Sequence, residues 1–300
     1  LQIGGLETLN SFVSAGKTAS NSGTLQLDAG AVVTNGTTNG DTILIGRITG
    51  AGRIIKTGSG SLTLTGTTIH SRYRDYYGWD NPTYYSDFTG GITLNAGALQ
   101  LADTFGFGAG TVTLNSGRVS SDSTTARSFS NNLVFGGDML LGSATKTGTM
   151  YNYGTVGLGG ATRVLTTDSD FSFGGVVSNG GFTKAGAATL ILSGTNTYAG
   201  TTTLNAGWIR LDNNSAFGAG AVTLNAGRVS ANNAGTGYTL ANAFILGGDV
   251  ALGSATYWSA LTLNGGLSLG NASRTVTFDS DVTLGGVISN GAGAGAGSLV

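Results

Sequence analysis

An all-β solenoid of stacked coils, each of about 20–23 residues, is the fold class this sequence predicts. Three observations predict it: a long internal repeat, a short motif recurring inside that repeat, and a composition rich in Gly, Thr, Val and Leu but poor in charge. The long repeat is visible by eye. FTGGITLNAGALQL (88–101) is answered by YAGTTTLNAGWIRL (198–211), and FGAGTVTLNSGRVSS (107–121) by FGAGAVTLNAGRVSA (217–231). Further on, the GGD starting at Gly136 matches the one starting at Gly247, and GGVVSNG (174–180) matches GGVISNG (285–291). The offset between the copies, 107 to 217 at first and 174 to 285 at the end, grows by one position, so a single insertion separates them. Self-similarity at a fixed period marks a solenoid or array, and it leaves little room for an active site present once.

The short motif is Leu, then Asn or Asp, a small residue, and Gly: LDAG at 27, LNAG at 94, 204 and 224, LNSG at 114 and LNGG at 263. Within each copy two instances recur at the same spacing (94 to 114, 204 to 224), and this spacing sets the coil length. In ITLNAGALQL, alternation sends Ile92 and Leu94 to one face and Thr93 to the other. The pairs Asn95/Gly97, Asn115/Gly117, Asn205/Gly207 and Asn225/Gly227 then suit a tight bend or a positive φ, and a second short strand follows. Strands of about four to six residues cannot stand alone, but stacked on the coils above and below they satisfy their backbone groups. Asn side chains at like positions can form ladders between coils, or can serve only to tolerate the turn. About thirteen to fifteen coils are expected on this count, as one continuous solenoid over 1–300 with long repeats at 88–197 and 198–300, the second incomplete.

Composition narrows the rest. Gly supplies 54 of 300 residues, against about 7% on average, yet without a triplet period and with a single Pro, so collagen is excluded. Four Lys and one Glu leave little material for exposed helix faces. A net charge of −1 gives no electrostatic footprint for nucleic acid. No apolar run is long enough for a membrane-spanning helix. The absence of Cys rules out disulfides and thiolate metal sites. With Leu1 in place of an initiator Met and SLV (298–300) resembling the start of another strand, the chain reads as an internal segment of a longer protein.

KTGSGSLTLTGT (56–67) and FTKAGAATLILSGTNTYAGTTTLNAG (182–207) resemble the passenger-associated strand repeat of bacterial autotransporters. Lys184, Gly186, Leu190, Leu192, Gly194, Asn196, Thr197, Tyr198, Gly200, Asn205, Ala206 and Gly207 match its pattern in order. The earlier copy follows the pattern to Gly66, departs, and resumes at Phe88. The resemblance implies a right-handed parallel β-helix passenger, exported through the outer membrane and found extracellularly or on the bacterial surface. Lack of Cys is similar to such passengers, which cross the outer membrane unfolded. Any membrane contact would run through an anchor elsewhere in the parent chain.

The segment 67–87, TTIHSRYRDYYGWDNPTYYSD, has no counterpart in the second copy. It is an insertion, since Lys56 lies 32 before Phe88 whereas Lys184 lies only 14 before Tyr198. It holds the only His (His70), the only Pro (Pro82) and five of ten tyrosines. Insertions in solenoids project as loops and often bind. Arg72, Tyr73, Arg74, Tyr76, Tyr77, Trp79, Tyr84 and Tyr85 are the candidate contact residues for a host or neighbouring-cell glycan or protein. The opposing reading is a self-packed loop whose rings cover the coil flank.

Catalytic and metal constellations fare poorly. Asp168 and Asp170 recur as Asp279 and Asp281, and Asp138 as Asp249, so each is repeat-bound rather than singular. His70 has no partners for zinc or for a Ser–His–Asp arrangement, and GAGAGAG (291–297) lacks the Lys-Ser/Thr of a phosphate loop. The expected function is therefore a non-catalytic extracellular rod for adhesion, display or fibre assembly, without metal or cofactor. Its partners would be copies of itself, end-to-end or side by side, or a surface glycan or protein. A carbohydrate-active hydrolase or lyase on the same scaffold is the alternative.

Overall fold

The computed structural model describes residues 2–3, 6–8, 24–36, 41–44, 47–68, 84–235, 237–291 and 297–300. The chain is an all-β parallel β-solenoid with about 11 turns of ~21 residues. This is fewer than the thirteen to fifteen expected from length alone, because some coils carry long excursions. Ile54 pairs directly with Ile92, and Val250 with Val276, each a longer step along the chain than the common coil. Most strands hold three or four residues, shorter than expected, since a turn follows each pair of inward side chains.

Two compact units are present, residues 1–139 with 145–150, and residues 140–144 with 151–300. In the first unit, Leu6–Thr8, Val32–Asn35, Arg53–Lys56, Ile92–Leu94, Val112–Leu114 and Leu133–Phe135 pair in parallel, one above another. Thr42–Leu44, Ser61–Leu64, Ala98–Leu101 and Arg118–Ser121 make a second stack. Gln2–Ile3, Thr24–Leu27 and Arg47–Gly50 make a third. The second unit repeats the plan. Its first stack runs from Val156–Thr167 through Val177–Ala185, Thr202–Leu204, Val222–Leu224, Phe244–Leu246 and Leu267–Ser268 to Ile288–Ser289. Its second runs from Phe171–Phe173 through Thr189–Leu192, Trp208–Leu211, Arg228–Ala231 and Val250–Leu252 to Val276–Phe278. Tyr238–Leu240, Leu261–Leu263 and Val282–Leu284 form the third.

Period-two alternation explains the interior. Leu94, Leu114 and Phe135 fall in register and are buried, as are Leu190, Ile209 and Val229. A fully buried aliphatic side chain contributes roughly 1.5–3 kcal/mol, and identical registers let each coil fill the space left by its neighbour. Gln100 and Arg210 break the simple pattern. Alternation turns both outward, yet each is nearly inaccessible (7% and 9%), because a later loop folds over the outer face of its strand.

Candidate functional site

Two lysines occupy inward positions of the first stack, Lys56 level with Leu94 and Lys184 level with Leu204, and both are fully buried. Lys184 Nζ donates to the carbonyls of Ala185 (2.9 Å), Gly186 (2.8 Å) and, on the next coil, Ala206 (3.1 Å). Lys56 Nζ donates to the Gly58 carbonyl. Burial lowers the pKa of Lys184 to about 8, against the opposing pull of Asp170, and burial likewise lowers that of Lys56. The arrangement explains why Lys and the Asn-Ala-Gly turn travel together in the motif. A Cβ on Gly207 would sit 2.8 Å from Lys184 Nζ, and one on Gly97 would sit 2.9 Å from Lys56 Nζ. Gly97, Gly117, Gly207 and Gly227 have φ of 76°, 111°, 74° and 83°.

The asparagines of those turns do not take positive φ; they bond to one another. Asn115 Nδ2 donates to Asn95 Oδ1 (2.7 Å) and Asn225 Nδ2 to Asn205 Oδ1 (2.8 Å). Each two-rung ladder ends against a glycine, Gly136 or Gly247, where an added Cβ would strike the Asn115 or Asn225 Oδ1. Other motif positions have equally local duties. Asn196 Oδ1 accepts from the Val177 amide (2.7 Å) while its Nδ2 donates to Ala216 O (2.6 Å), and Tyr198 OH meets Thr202 Oγ1 at 2.7 Å. In the first copy Ser86 Oγ takes the place of Asn196, accepting from the Ile48 amide (2.8 Å).

Buried Asn131 and Asn242 went unremarked in the sequence, although the offset between the two long copies could have found them. Asn131 Nδ2 donates to Phe107 O (3.2 Å), Gly108 O (3.1 Å) and Gly110 O (2.7 Å) on the coil below. Asn242 Nδ2 does the same for Phe217 O (3.5 Å), Gly218 O (3.1 Å) and Gly220 O (2.8 Å). The irregular Phe-Gly-Ala-Gly corner has lost its strand partners, and one amide supplies them.

Of the insertion's candidate residues, Arg72, Tyr73, Arg74, Tyr76, Tyr77 and Trp79 lie outside the described residues, and Tyr84 is described by its backbone only. Tyr84–Tyr85 pairs antiparallel with Thr67–Thr68, so the insertion leaves the coil through a two-residue stem. Tyr85 is exposed (43%), and its ring centroid lies 4.0 Å from that of Phe105, also exposed (42%). Arg47 ties the stem down, donating to Tyr85 O (3.0 Å) and pairing with Asp87 (2.6 Å).

A second outer-face cluster lies in the second unit, on Trp208–Leu211 and the loop 254–259 that covers it. The Arg210 guanidinium is 5.4 Å from the Trp208 ring and 4.8 Å from that of Tyr257, the two rings meeting edge-on at 5.9 Å. Arg228 stands 5.5 Å from Trp208, and the indole N–H of Trp208 donates to Ser230 Oγ (2.9 Å). Arg210 pairs with Asp170 (3.4 Å) and Arg228 with Asp279. Trp258, next to Tyr257, is 61% exposed. In the first copy the covering loop instead sends Lys146 Nζ to Gln100 Oε1 (2.7 Å), which also accepts from Thr63 Oγ1 (2.9 Å).

Two of the carboxylates named from the sequence serve the coil. Asp170 Oδ1 accepts from the Thr189 amide (2.9 Å) and Asp249 Oδ1 from the Thr275 amide (2.8 Å). Among the described residues no three His, Cys, Asp or Glu side chains come together as a metal site, and no helix is long and apolar enough to cross a membrane.

The passenger-associated-transport-repeat model matches residues 54–71, 83–101 and 182–211, the segments that hold both buried lysines and the Asn-Ala-Gly turns beside them. An adhesin of Brucella suis biovar 1 (strain 1330), the BmaC autotransporter, is 30% identical over 213 residues, which is 69% of this chain. The chain spans 6% of that relative's length. No solved structure matches. With these repeats in place and this homology across most of its length, the chain belongs to the autotransporter passengers built on passenger-associated-transport repeats.

Proposed function

We propose that this chain is a non-catalytic segment of a surface-displayed or secreted passenger whose task is adhesion, the coil holding contact residues away from the cell. The observation that carries the reading is the alignment of 69% of the chain with an adhesin. Two features support it. The repeated polar residues, among them Lys184, Asn242, Asp170 and Asp249, are bound into coil-to-coil contacts, which leaves little for chemistry. Large aromatic side chains meanwhile stand in the open beside the insertion, Tyr85 and Phe105 foremost. The insertion is the candidate contact loop, with Arg72, Tyr73, Arg74, Tyr76, Tyr77, Trp79, Tyr84 and Tyr85 as its contact residues.

The test is adherence of beads coated with the purified chain to cultured epithelial cells. The wild-type chain should bind above an albumin control. A variant lacking 69–83, with Thr68 joined to Tyr84 through a Gly-Asn turn, should bind substantially less. Adherence at the control level for the wild-type chain would end the reading. Adherence unchanged by the deletion would remove the insertion from it.

A further inference from the structure

The outer-face cluster of the second unit has a property that coil stability does not explain: a tryptophan is left in water directly after a tyrosine that packs on a base of side chains holding one another in place. Trp208 is fixed by its bond to Ser230, Arg210 lies against both Trp208 and Tyr257, and Arg228 flanks the indole. Trp208 and both arginines sit on strands, so the base that Tyr257 packs on loses little freedom on binding. Trp258, the residue after Tyr257, exposes 61% of its surface. An isolated exposed aromatic means little, but one that directly follows a ring packed on an aromatic and cationic base is a recognition feature.

The comparison between the two long copies isolates the cluster further. The positions of Trp208, Arg210, Tyr257 and Trp258 are held in the first copy by Ala98, Gln100, Lys146 and Thr147. The scaffold is the same, while three of the four outward residues are aromatic in the second copy and the fourth, Arg210, is cationic. Coil packing alone cannot demand rings at these positions, because the first copy folds its equivalent loop over Gln100 without them. Arg210 is balanced by Asp170 and Arg228 by Asp279, so the surface carries paired charges without a net sign. Arg210 Nε is buried and has no acceptor.

We infer that Tyr257, on the base formed by Trp208, Arg210 and Arg228, and the exposed Trp258 beside it in the chain bind an uncharged pyranose saccharide. A pyranose ring offers an apolar C–H face that stacks on an indole or phenol ring. Its hydroxyls both donate and accept, which suits the partly exposed Arg228–Asp279 pair at the edge of the cluster. An anionic saccharide gains nothing from a surface without net charge. The inference rests on the adhesin reading and assigns it a second contact surface, separate from the insertion.

The test uses the whole chain labelled with ¹⁵N-tryptophan, titrated with lactose, cellobiose and chitotriose, and with 3′-sialyllactose as the charged comparison. Three indole signals are expected, from Trp79, Trp208 and Trp258. At least one neutral sugar should shift the Trp258 signal saturably in the millimolar range, leave Trp79 in place, and bind no more weakly than sialyllactose. Trp258→Ala should weaken that binding at least tenfold without moving the unfolding temperature. Tyr257→Phe, which keeps the ring, should bind within about threefold of wild type. The proposal is overturned if none of the three neutral sugars shifts Trp258, or if Trp258→Ala binds as wild type does. The adhesion reading is separable: cell adherence unaffected by Trp258→Ala would leave that reading standing without this site, and sugar binding by a chain that does not adhere to cells would do the reverse.

Discussion

A lysine placed in the interior of a coil would ordinarily be a defect, because removing an ammonium group from water is costly. Lys184 tolerates it by donating to three main-chain carbonyls on two successive coils. Its pKa falls from 10.5 in a free chain to about 8, so between those values the unfolded chain holds a proton the folded chain has released. Stability therefore rises with pH across roughly 8 to 10. Above that range Tyr198 works against the trend, since burial raises its pKa and the unfolded phenol ionises first. Urea titrations at pH 7.5 and 9.5 should show a higher midpoint at 9.5. Lys184→Met should flatten that rise and, by leaving three carbonyls unpaired, cost about 1–3 kcal/mol at pH 7.5. Asn242 gives a companion case. Asn242→Ala should cost a similar amount, about 1–3 kcal/mol. Asn242→Asp should cost more at neutral pH, because a carboxylate would face the carbonyls of Phe217, Gly218 and Gly220. That extra cost should shrink as pH falls toward 4, the folded chain favouring the protonated acid.

At the scale of the coil element, the Asn-Ala-Gly turn joins two strands whose registers must both match the neighbouring coil. Gly207 meets that demand with a φ of 74° and with the Lys184 ammonium against its open side. Gly207→Ala should destabilise by more than about 2 kcal/mol, combining left-handed strain with a clash against the Gly186 and Ala188 carbonyls (both within 2.6 Å of the added Cβ) and displacement of the lysine. Gly235 is the control: its φ is 100°, but nothing lies within 4 Å of an added Cβ. Gly235→Ala should thus cost only about 1–2 kcal/mol, the backbone strain alone. Denaturant midpoints of the two variants, measured side by side, separate the steric contribution from the conformational one. Equal losses would show that the close packing around Gly207 carries no weight.

Over the whole molecule, repetition divides stability among neighbouring coils, so changes outside the stacks should be felt weakly. The insertion leaves through the short Thr67–Thr68 and Tyr84–Tyr85 stem, and Ser86 and Asp87 already belong to the coil through Ile48 and Arg47. Removing 69–83 while keeping that stem should move the thermal midpoint by less than about 3 °C and leave the far-ultraviolet spectrum that of a β protein. Carrying the cut through Ser86 and Asp87 should be markedly worse, because the Ile48 amide loses its acceptor and Arg47 its partner. A small effect of the longer deletion would mean that the coil does not depend on these ties.

Much of this was readable from residues alone. Leu94, Leu114, Leu204 and Leu224 recur with the coil and announce the stacked strands, because a period of two within a period of about twenty admits few other folds. The glycines at 97 and 207 likewise mark bends, since few other residues take a positive φ without strain. What lay beyond the sequence was the use of polar side chains that reach between coils. Lys184 meets Ala206, Asn242 meets Gly220, and Tyr257 covers Arg210, each pair a full coil or more apart along the chain, and such contacts exist only once the register between coils is set. Local preference decides that a chain will turn. Only the stacking of one turn on the next decides which carbonyls are left wanting a donor and which ring is left in the water.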